Sequence, residues 1–407
     1  MKKLYIVANF GEVYLKGQNI SFFEKKLFQS LNLKIKKIKH KIKFDKKSGG
    51  SFFIKLSEDI TNDEINFLEQ SIKNTFGFSN YYKAYFAQDF SMESLEKTVL
   101  DFLEDFDFSK KEIQTFGVHT EKVSHNDKLK TQNVNVQIGS AVYNFLEKKF
   151  GKIKVDLDNP DFVINIKIRN DKVLVFGTPK QALGGLPTGA IGKNIVLLSG
   201  GFDSPVASFL AQKRGLETYF AHFHSVPKTD KRSIEKVKEL ANELVKFQGF
   251  GKLFLVPIID IQKDIVQNAE RRYSILLQRR AFLEIAEQIS KQYNLEAQVF
   301  TTGDSLGQVA SQTLENLVTV SEKLDDHNLI LRPLITYDKQ EILELAKKIN
   351  TYKISERPHQ DACELFVPDK PETRSVLEKV KEEEKNLDKF LIQKAIDNTE
   401  VINLKID

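Results

Sequence analysis

The strongest constraint in this chain is the run Ser199-Gly200-Gly201-Phe202-Asp203-Ser204-Pro205, set between the apolar Ile195–Leu198 and the helical pattern Val206–Arg214. A short buried strand that turns through two glycines into a helix fits an open sheet of parallel strands covered by helices. The pattern downstream agrees. From Lys193 to about Asn350 the apolar runs Tyr219–Phe223, Leu253–Val256 and Val299–Thr301 alternate with amphipathic helical patterns, as strands with crossover helices do.

Each residue type in the run has a physical task. Gly200 and Gly201 carry no Cβ to keep an anion from backbone N–H groups, and Pro205 suits a first helical turn, where its missing donor costs nothing. The helix N-terminus offers unpaired donors and partial positive charge, to which Ser199 and Ser204 add hydroxyls. Asp203 is poorly placed to hold phosphate directly and reads as a magnesium ligand through water. The Gly-Lys-Ser/Thr ending of a Walker A loop is absent, so cleavage between the α- and β-phosphates of a nucleotide is expected, not loss of the γ-phosphate.

The first half is organised differently. Residues 3–8 and 51–56 read as strands flanking a helix over 21–33, a small α+β unit. Then come helix 64–75, strand 81–87, helix 91–103, strand 115–119, helix 132–150 and strands 162–169 and 172–178, joined by the hairpin-type turn Asn170-Asp171. Gly184-Gly185-Leu186-Pro187-Thr188-Gly189 reads as a linker. Further on, helices are expected over Gln308–Leu317 and Lys339–Ile349, and one charged surface helix over Thr373–Ile392.

Charge is unevenly spread. Residues 1–50 carry thirteen Lys against Glu12, Glu24 and Asp45, about +10, while residues 51–110 carry five Lys against twelve acids. A basic first module fits a polyanion partner through counterion release, and it equally fits lysines that cover solvated faces. With 41% hydrophobic and 29% charged residues, the composition is that of a globular protein. No run approaches the roughly twenty apolar residues of a membrane span, and Met1-Lys2-Lys3 leads straight into strand pattern, so a cytoplasmic protein without membrane partner is expected. The one cysteine, Cys363, excludes an internal disulfide or a multi-cysteine metal site and is either inert core or reactive. His222 and His224 alternate along a strand, but no matching partners complete a metal site.

Ser-Gly-Gly-x-Asp-Ser resembles the loop of the ATP pyrophosphatases, and the rest of the chain is similar to one branch, the tRNA 4-thiouridine synthetase family (tRNA uracil 4-sulfurtransferases). The resemblance runs through Gly11-Glu12, Leu15-Lys16-Gly17, Asn19, Leu197–Ala207, Ala221–Ser225, Gly303–Thr313, Arg332-Pro333-Leu334-Ile335 and Asp338-Lys339. It implies a ferredoxin-like domain over 1–60, a THUMP RNA-binding domain over 61–178 and a HUP-type parallel-sheet ATP-pyrophosphatase domain over 179–407. It also implies ATP with Mg2+ as cofactors and 4-thiouridine at position 8 of tRNA as product, made through an adenylated uracil and a persulfide.

By the same resemblance Leu197, Leu198, Ser199, Gly200, Gly201, Ser204, His222, Phe223, Arg279, Gly303 and Gln312 line the nucleotide pocket. His222 and Phe223 do so through backbone and packing, and Arg279 brings a fork suited to phosphate. Asp203 and Lys339 are implied as catalytic, and Cys363 as the sulfur-handling thiol; in the sequence nearby His359 or Arg357 would favour its thiolate, and Asp361 and Glu364 would oppose it. Some family members continue into a rhodanese-like domain; this sequence ends at Asp407 and is expected to be the form without it. A cysteine desulfurase or other persulfide donor is then a required partner beside tRNA. A thiazole sulfur-carrier protein, from the family's link to thiamine, and a homodimer are further partners. Two alternatives remain at the level of sequence: an ATP pyrophosphatase adenylating a different base or carbonyl, and a non-catalytic RNA-binding protein.

Overall fold

The computed structural model describes residues 3–45, 50–110, 112–123, 129–169, 172–228, 230–358, 366 and 368–406. Two compact units emerge, Met1–Ile20 with Ile35–Gly184, and Ser21–Lys34 with Gly185–Asp407. No helix among the described residues is long and apolar enough to cross a membrane.

The elements up to residue 184 are β1 (Lys3–Phe10), α1 (Ile20–Lys34), β2 (Ile42–Phe44), β3 (Ser51–Leu56), α2 (Asn62–Lys73), β4 (Phe78–Phe86) and α3 (Met92–Glu104). They continue with β5 (Thr115–Lys122), α4 (Thr131–Phe150), β6 (Lys154–Val155), β7 (Phe162–Ile168), β8 (Val173–Phe176) and β9 (Lys180–Gln181). The strands form one sheet in the order β2-β3-β1-β4-β8-β7-β5-β6, with β9 added to β4. This sheet runs on across residue 60. There the chain enters α2 through a capping box, in which Glu64 N donates to Thr61 Oγ1 at 3.3 Å and Thr61 N donates to Glu64 Oε2 at 2.8 Å. β4 then pairs antiparallel with β1 on one side and with β8 on the other. Tyr5, Val7, Phe53, Tyr82, Ala84, Leu174 and Phe176 form one buried cluster beneath it. Tyr82 stacks on Phe176 with centroids 4.0 Å apart, a pair worth about 0.5–1.5 kcal/mol beyond its burial. The turn expected at Asn170-Asp171 lies outside the described residues, though β7 and β8 pair antiparallel on either side of it.

The second unit holds β10 (Gly192–Leu197), α5 (Asp203–Lys213), β11 (Leu216–His224), α6 (Arg232–Gln248), β12 (Phe250–Pro257), α7 (Ile259–Asn268), α8 (Ser274–Gln292) and β13 (Val299–Thr301). After them come α9 (Leu314–Ser321), β14 (Leu329–Leu331), α10 (Lys339–Lys348), α11 (Tyr352–Ser355), α12 (Leu377–Lys385), α13 (Phe390–Asp397) and β15 (Glu400–Lys405). Strand order is β14-β13-β10-β11-β12-β15, with every neighbour parallel except β15, which runs antiparallel to β12. Ile195 and Val196 of β10 are fully buried, as expected of a strand with both faces covered. The chain leaves β10 toward β11 on one side and later returns to β13 on the other. Such a reversal of strand order opens a crevice at the carboxyl ends of the strands, where α/β proteins bind ligands.

Three expected elements differ. Thr373–Ile392 is not one surface helix: α12 ends at Lys385, Phe390 N donates to Asp388 Oδ1 at 2.9 Å as α13 begins, and Ala395 and Ile396 are buried. Polar periodicity carried the expectation past an Asn386-to-Asp388 break that the Asp side chain stabilises. Gln308–Leu317 is not one helix: a 3-10 turn over Ala310–Gln312 comes first, and Thr313 then caps a separate helix that starts only at Leu314. α5 starts at Asp203, three residues before the helical pattern did.

Candidate active site

The loop after β10 is held by its own serines. Ser199 N donates to Ser204 Oγ at 2.8 Å, the two hydroxyls lie 3.1 Å apart, and Gly201 N donates to Ser199 Oγ at 3.3 Å. The backbone therefore curls around a fixed centre at the start of α5. A Cβ on Gly201 would meet only Ser199 Oγ, at 3.6 Å, so the space beside this glycine is open.

Gly303 is the opposite case. A Cβ there would come within 2.7 Å of Ser204 N, 2.9 Å of Asp203 C and 3.0 Å of Ser204 Cα. Only glycine lets the end of β13 rest on the first turn of α5.

Asp203 and Lys339, 136 positions apart, meet across the crevice with Lys339 Nζ 2.9 Å from Asp203 Oδ1. Gln308 Nε2 donates to the other carboxylate oxygen at 3.1 Å, and Lys339 Nζ lies 5.5 Å from the centroid of the Phe202 ring. Lys339 reaches this point because Asp338 caps α10: Glu341 N donates to Asp338 Oδ1 at 2.9 Å in a second capping box.

On the β11 side, Leu198 N donates to Ala221 O at 2.8 Å and the Leu198 carbonyl lies 2.9 Å from His222 Nδ1. His222 is buried, and Phe223 is packed ring to ring on Phe282 at 4.1 Å. Burial, with the neighbouring His222 adding to it, holds His224 down to about 4, so that ring is neutral near pH 7.

Arg279 is not a free phosphate fork. Its Nη2 lies 2.5 Å from Asp304 Oδ1 and its Nη1 donates to Ser311 O at 3.0 Å. Gln312 also donates to Asp304 Oδ1, at 3.2 Å. Asp304, Arg332 and Gln308 carried no assigned role in the sequence, where an aspartate beyond a strand gives no sign that two arginines converge on it. Cys363 lies outside the described residues, as does His359. Arg357 is half-exposed and ion-paired, with Nη1 donating to Glu239 Oε1 at 2.8 Å. Its segment is tied to the loop, since Ser355 Oγ donates to Gly201 O at 2.9 Å and buried Lys236 donates to the carbonyls of Ser355 and Arg357 at 2.8 and 2.6 Å. Among the described residues no group of three or more His, Cys, Asp or Glu is gathered to hold a metal ion.

Comparison with known proteins decides the relationship. The chain is 37% identical over 403 residues to the probable tRNA sulfurtransferase of Finegoldia magna, an alignment that spans 98% of this chain and 99% of that one. The chain belongs to the tRNA sulfurtransferase family. The probable tRNA sulfurtransferase of Bacillus licheniformis is 34% identical, with 99% and 96% covered. The family model described as thiamine biosynthesis protein (ThiI) matches residues 189–389, the THUMP domain model residues 90–177, and the ThiI ferredoxin-like domain model residues 5–81. A crystal structure of a 4-thiouridine synthetase–RNA complex with bound ATP superimposes with a TM-score of 0.86 at 32% identity, covering all of both chains. The chain is thus a ferredoxin-like, THUMP and parallel-sheet ThiI protein, as the sequence resemblance implied, and the catalytic unit built around β10 is that family's fold.

Proposed function

We propose that this protein activates a uridine of tRNA with ATP and exchanges its 4-oxygen for sulfur, giving 4-thiouridine. The observation that carries the reading is the crevice where the serine-braced loop, the start of α5, Asp203 and Lys339 converge. The relatives named as tRNA sulfurtransferases and the ATP- and RNA-bound 4-thiouridine synthetase support it. The domain division 1–60, 61–178 and 179–407 is part of the proposal, as is a cytoplasmic location.

The open space at Gly201 and the first-turn donors of α5 fit a polyphosphate. Asp203, at the mouth of the loop with its carboxylate partly exposed, fits a magnesium ion held through water, which would neutralise charge on the leaving pyrophosphate. Leu197, Leu198, Ser199, Gly200, Ser204, the 222–223 backbone and Gly303 enclose the nucleotide, with Arg279 and Gln312 behind them.

The uridine O4 attacks the α-phosphorus as the N3 proton leaves, the bond to the bridging oxygen breaks, and pyrophosphate departs. Lys339 lies where it can exchange its Asp203 partner for phosphate oxygens and stabilise the charge that develops there. A persulfide sulfur then attacks C4 and AMP leaves with the former O4. Adenylation is needed because AMP is a far better leaving group than a carbonyl oxygen. The persulfide comes from a separate donor such as a cysteine desulfurase and passes to Cys363. Two external thiols then reduce the remaining sulfur–sulfur bond: the first takes Cys363 as a mixed disulfide while 4-thiouridine leaves, and the second frees Cys363, since it is the one cysteine in these 407 residues.

Purified protein incubated with tRNA and ATP should release pyrophosphate, not phosphate, and only with tRNA present. Asp203→Ala should abolish that release with the fold retained. Phosphate as product, or normal 4-thiouridine formation by the Asp203→Ala variant, would overturn the reading.

A further inference from the structure

The carboxylate of Asp304 has no role in the steps above, yet among the described residues it accepts four side-chain hydrogen bonds beside them. It stands just past β13 with the residue 4% exposed, where an ionised group is tolerated only when paired. Four described side chains pair it. Arg279 Nη2 at 2.5 Å and Gln312 Nε2 at 3.2 Å meet Oδ1, while Thr302 Oγ1 at 2.7 Å and Arg332 Nε at 3.1 Å meet Oδ2. Burial alone would raise its pKa, but the Arg279 charge, the Thr302 hydroxyl and the Arg332 charge outweigh burial and hold it below the ordinary carboxylate value. At neutral pH it only accepts hydrogen bonds.

That one-sidedness orients Gln312. The amide must turn Nε2 toward the carboxylate, which leaves Oε1 on the other side. Oε1 is buried and has no hydrogen-bond partner among the described residues. Native proteins rarely leave a buried acceptor unmatched, because the desolvation is not recovered. Arg279, on the same carboxylate oxygen, also grips the carbonyl of Ser311, next to Gln312 in the chain. Gly303, next to Asp304, rests on the backbone of Asp203 and Ser204. One buried carboxylate thus links the phosphate loop to an acceptor that no described residue uses.

We propose that Asp304 is a positioning residue of the nucleotide pocket, which orients the Gln312 amide so that Oε1 accepts a hydrogen bond from an N–H or O–H group of the bound nucleotide. This rests on the ATP reading of the crevice and adds to it which atom of Gln312 acts and what holds it.

The test is a calorimetric titration of the full chain with ATP and magnesium, beside thermal unfolding. Asp304→Asn and Gln312→Leu should each weaken ATP about tenfold, the loss of one hydrogen bond in a site that excludes water. The double variant should be no weaker than the weaker single one, because both act through one contact. Parent-like affinity in either single variant, or losses that multiply to about a hundredfold, would overturn the proposal. Asp304→Asn also leaves Arg279 and Arg332 unbalanced, so Asp304→Asn with Arg332→Leu is the control for charge. It should regain thermal stability without regaining ATP affinity; recovery of both would make Asp304 a charge balance only and end the proposal. Should Asp304→Asn fail to fold, Gln312→Leu, which takes one hydrogen bond from the Asp304 carboxylate but leaves both arginines on it, decides in its place. A parent that binds no ATP overturns this proposal and the ATP reading together, whereas a parent that binds with unaffected variants overturns this one only.

Discussion

Replacing Gly303 with alanine puts a methyl group where the end of β13 rests on the start of α5. The three atoms it meets, at 2.7, 2.9 and 3.0 Å, all belong to the backbone of Asp203 and Ser204, so no side chain can swing aside. Ordinary van der Waals contact begins near 3.4 Å, and the two segments must therefore part by about 0.7 Å along the tightest line. Overpacking of this size costs about 1–3 kcal/mol. A unit with this many buried side chains survives it, with an unfolding temperature lower by several degrees. Activity should suffer more than stability, since a shift approaching 1 Å in the groups that hold a reacting centre costs about a hundredfold. We expect kcat/KM for ATP in tRNA-dependent pyrophosphate release to fall about a hundredfold in Gly303→Ala, in protein that still unfolds cooperatively. A variant with parental kcat/KM would refute the argument that this contact sets the loop's geometry.

Lys339→Met should keep its fold, since the lysine side chain is about half exposed, and lose about 10²–10³ in pyrophosphate release, the scale for removing one stabilising donor from a charged transition state; a loss under tenfold would remove Lys339 from the chemistry. Lys34, whose Nζ donates to Phe247 O at 2.7 Å, is pushed by burial down to about 7 against about 10.4 when unfolded. Between those values the unfolded chain binds the extra proton, so stability should rise from pH 7 to 10 by up to about 1.4 kcal/mol per unit and be lost again as pH falls toward 7. Denaturant curves of Lys34→Met should lose that slope, and an unchanged slope would assign it to other groups. Cys363→Ser should still release pyrophosphate with tRNA yet form no 4-thiouridine with a desulfurase donor, while free sulfide partly restores product. Thiolation at the parental rate would make Cys363 a bystander.

Local signals carried much of this protein. The Gly-Gly turn between an apolar run and a helix marked the loop after β10, because strand-to-helix turns have their own residue chemistry, and period-2 and period-3.6 patterns marked most strands and helices on both sides of it. Where charge dominated the pattern, as over Thr373–Ile392, it missed the break at Asp388 and the strand β15 beyond, since an edge strand paired only to β12 needs little alternation to form.

What the sequence determined by itself is therefore the kind of fold and the position of the glycine-rich loop after β10, both properties of residues near one another in the chain. What only the tertiary structure decided is which distant side chains share a bond. Lys339 stands on Asp203, Gly303 presses on Ser204, and Arg279 faces Asp304 instead of standing free. Each pairing depends on β13 returning beside β10 after β11 and β12 have been laid on the other side. Contacts of that range arise from the packing of whole elements, whose positions no short stretch of residues encodes.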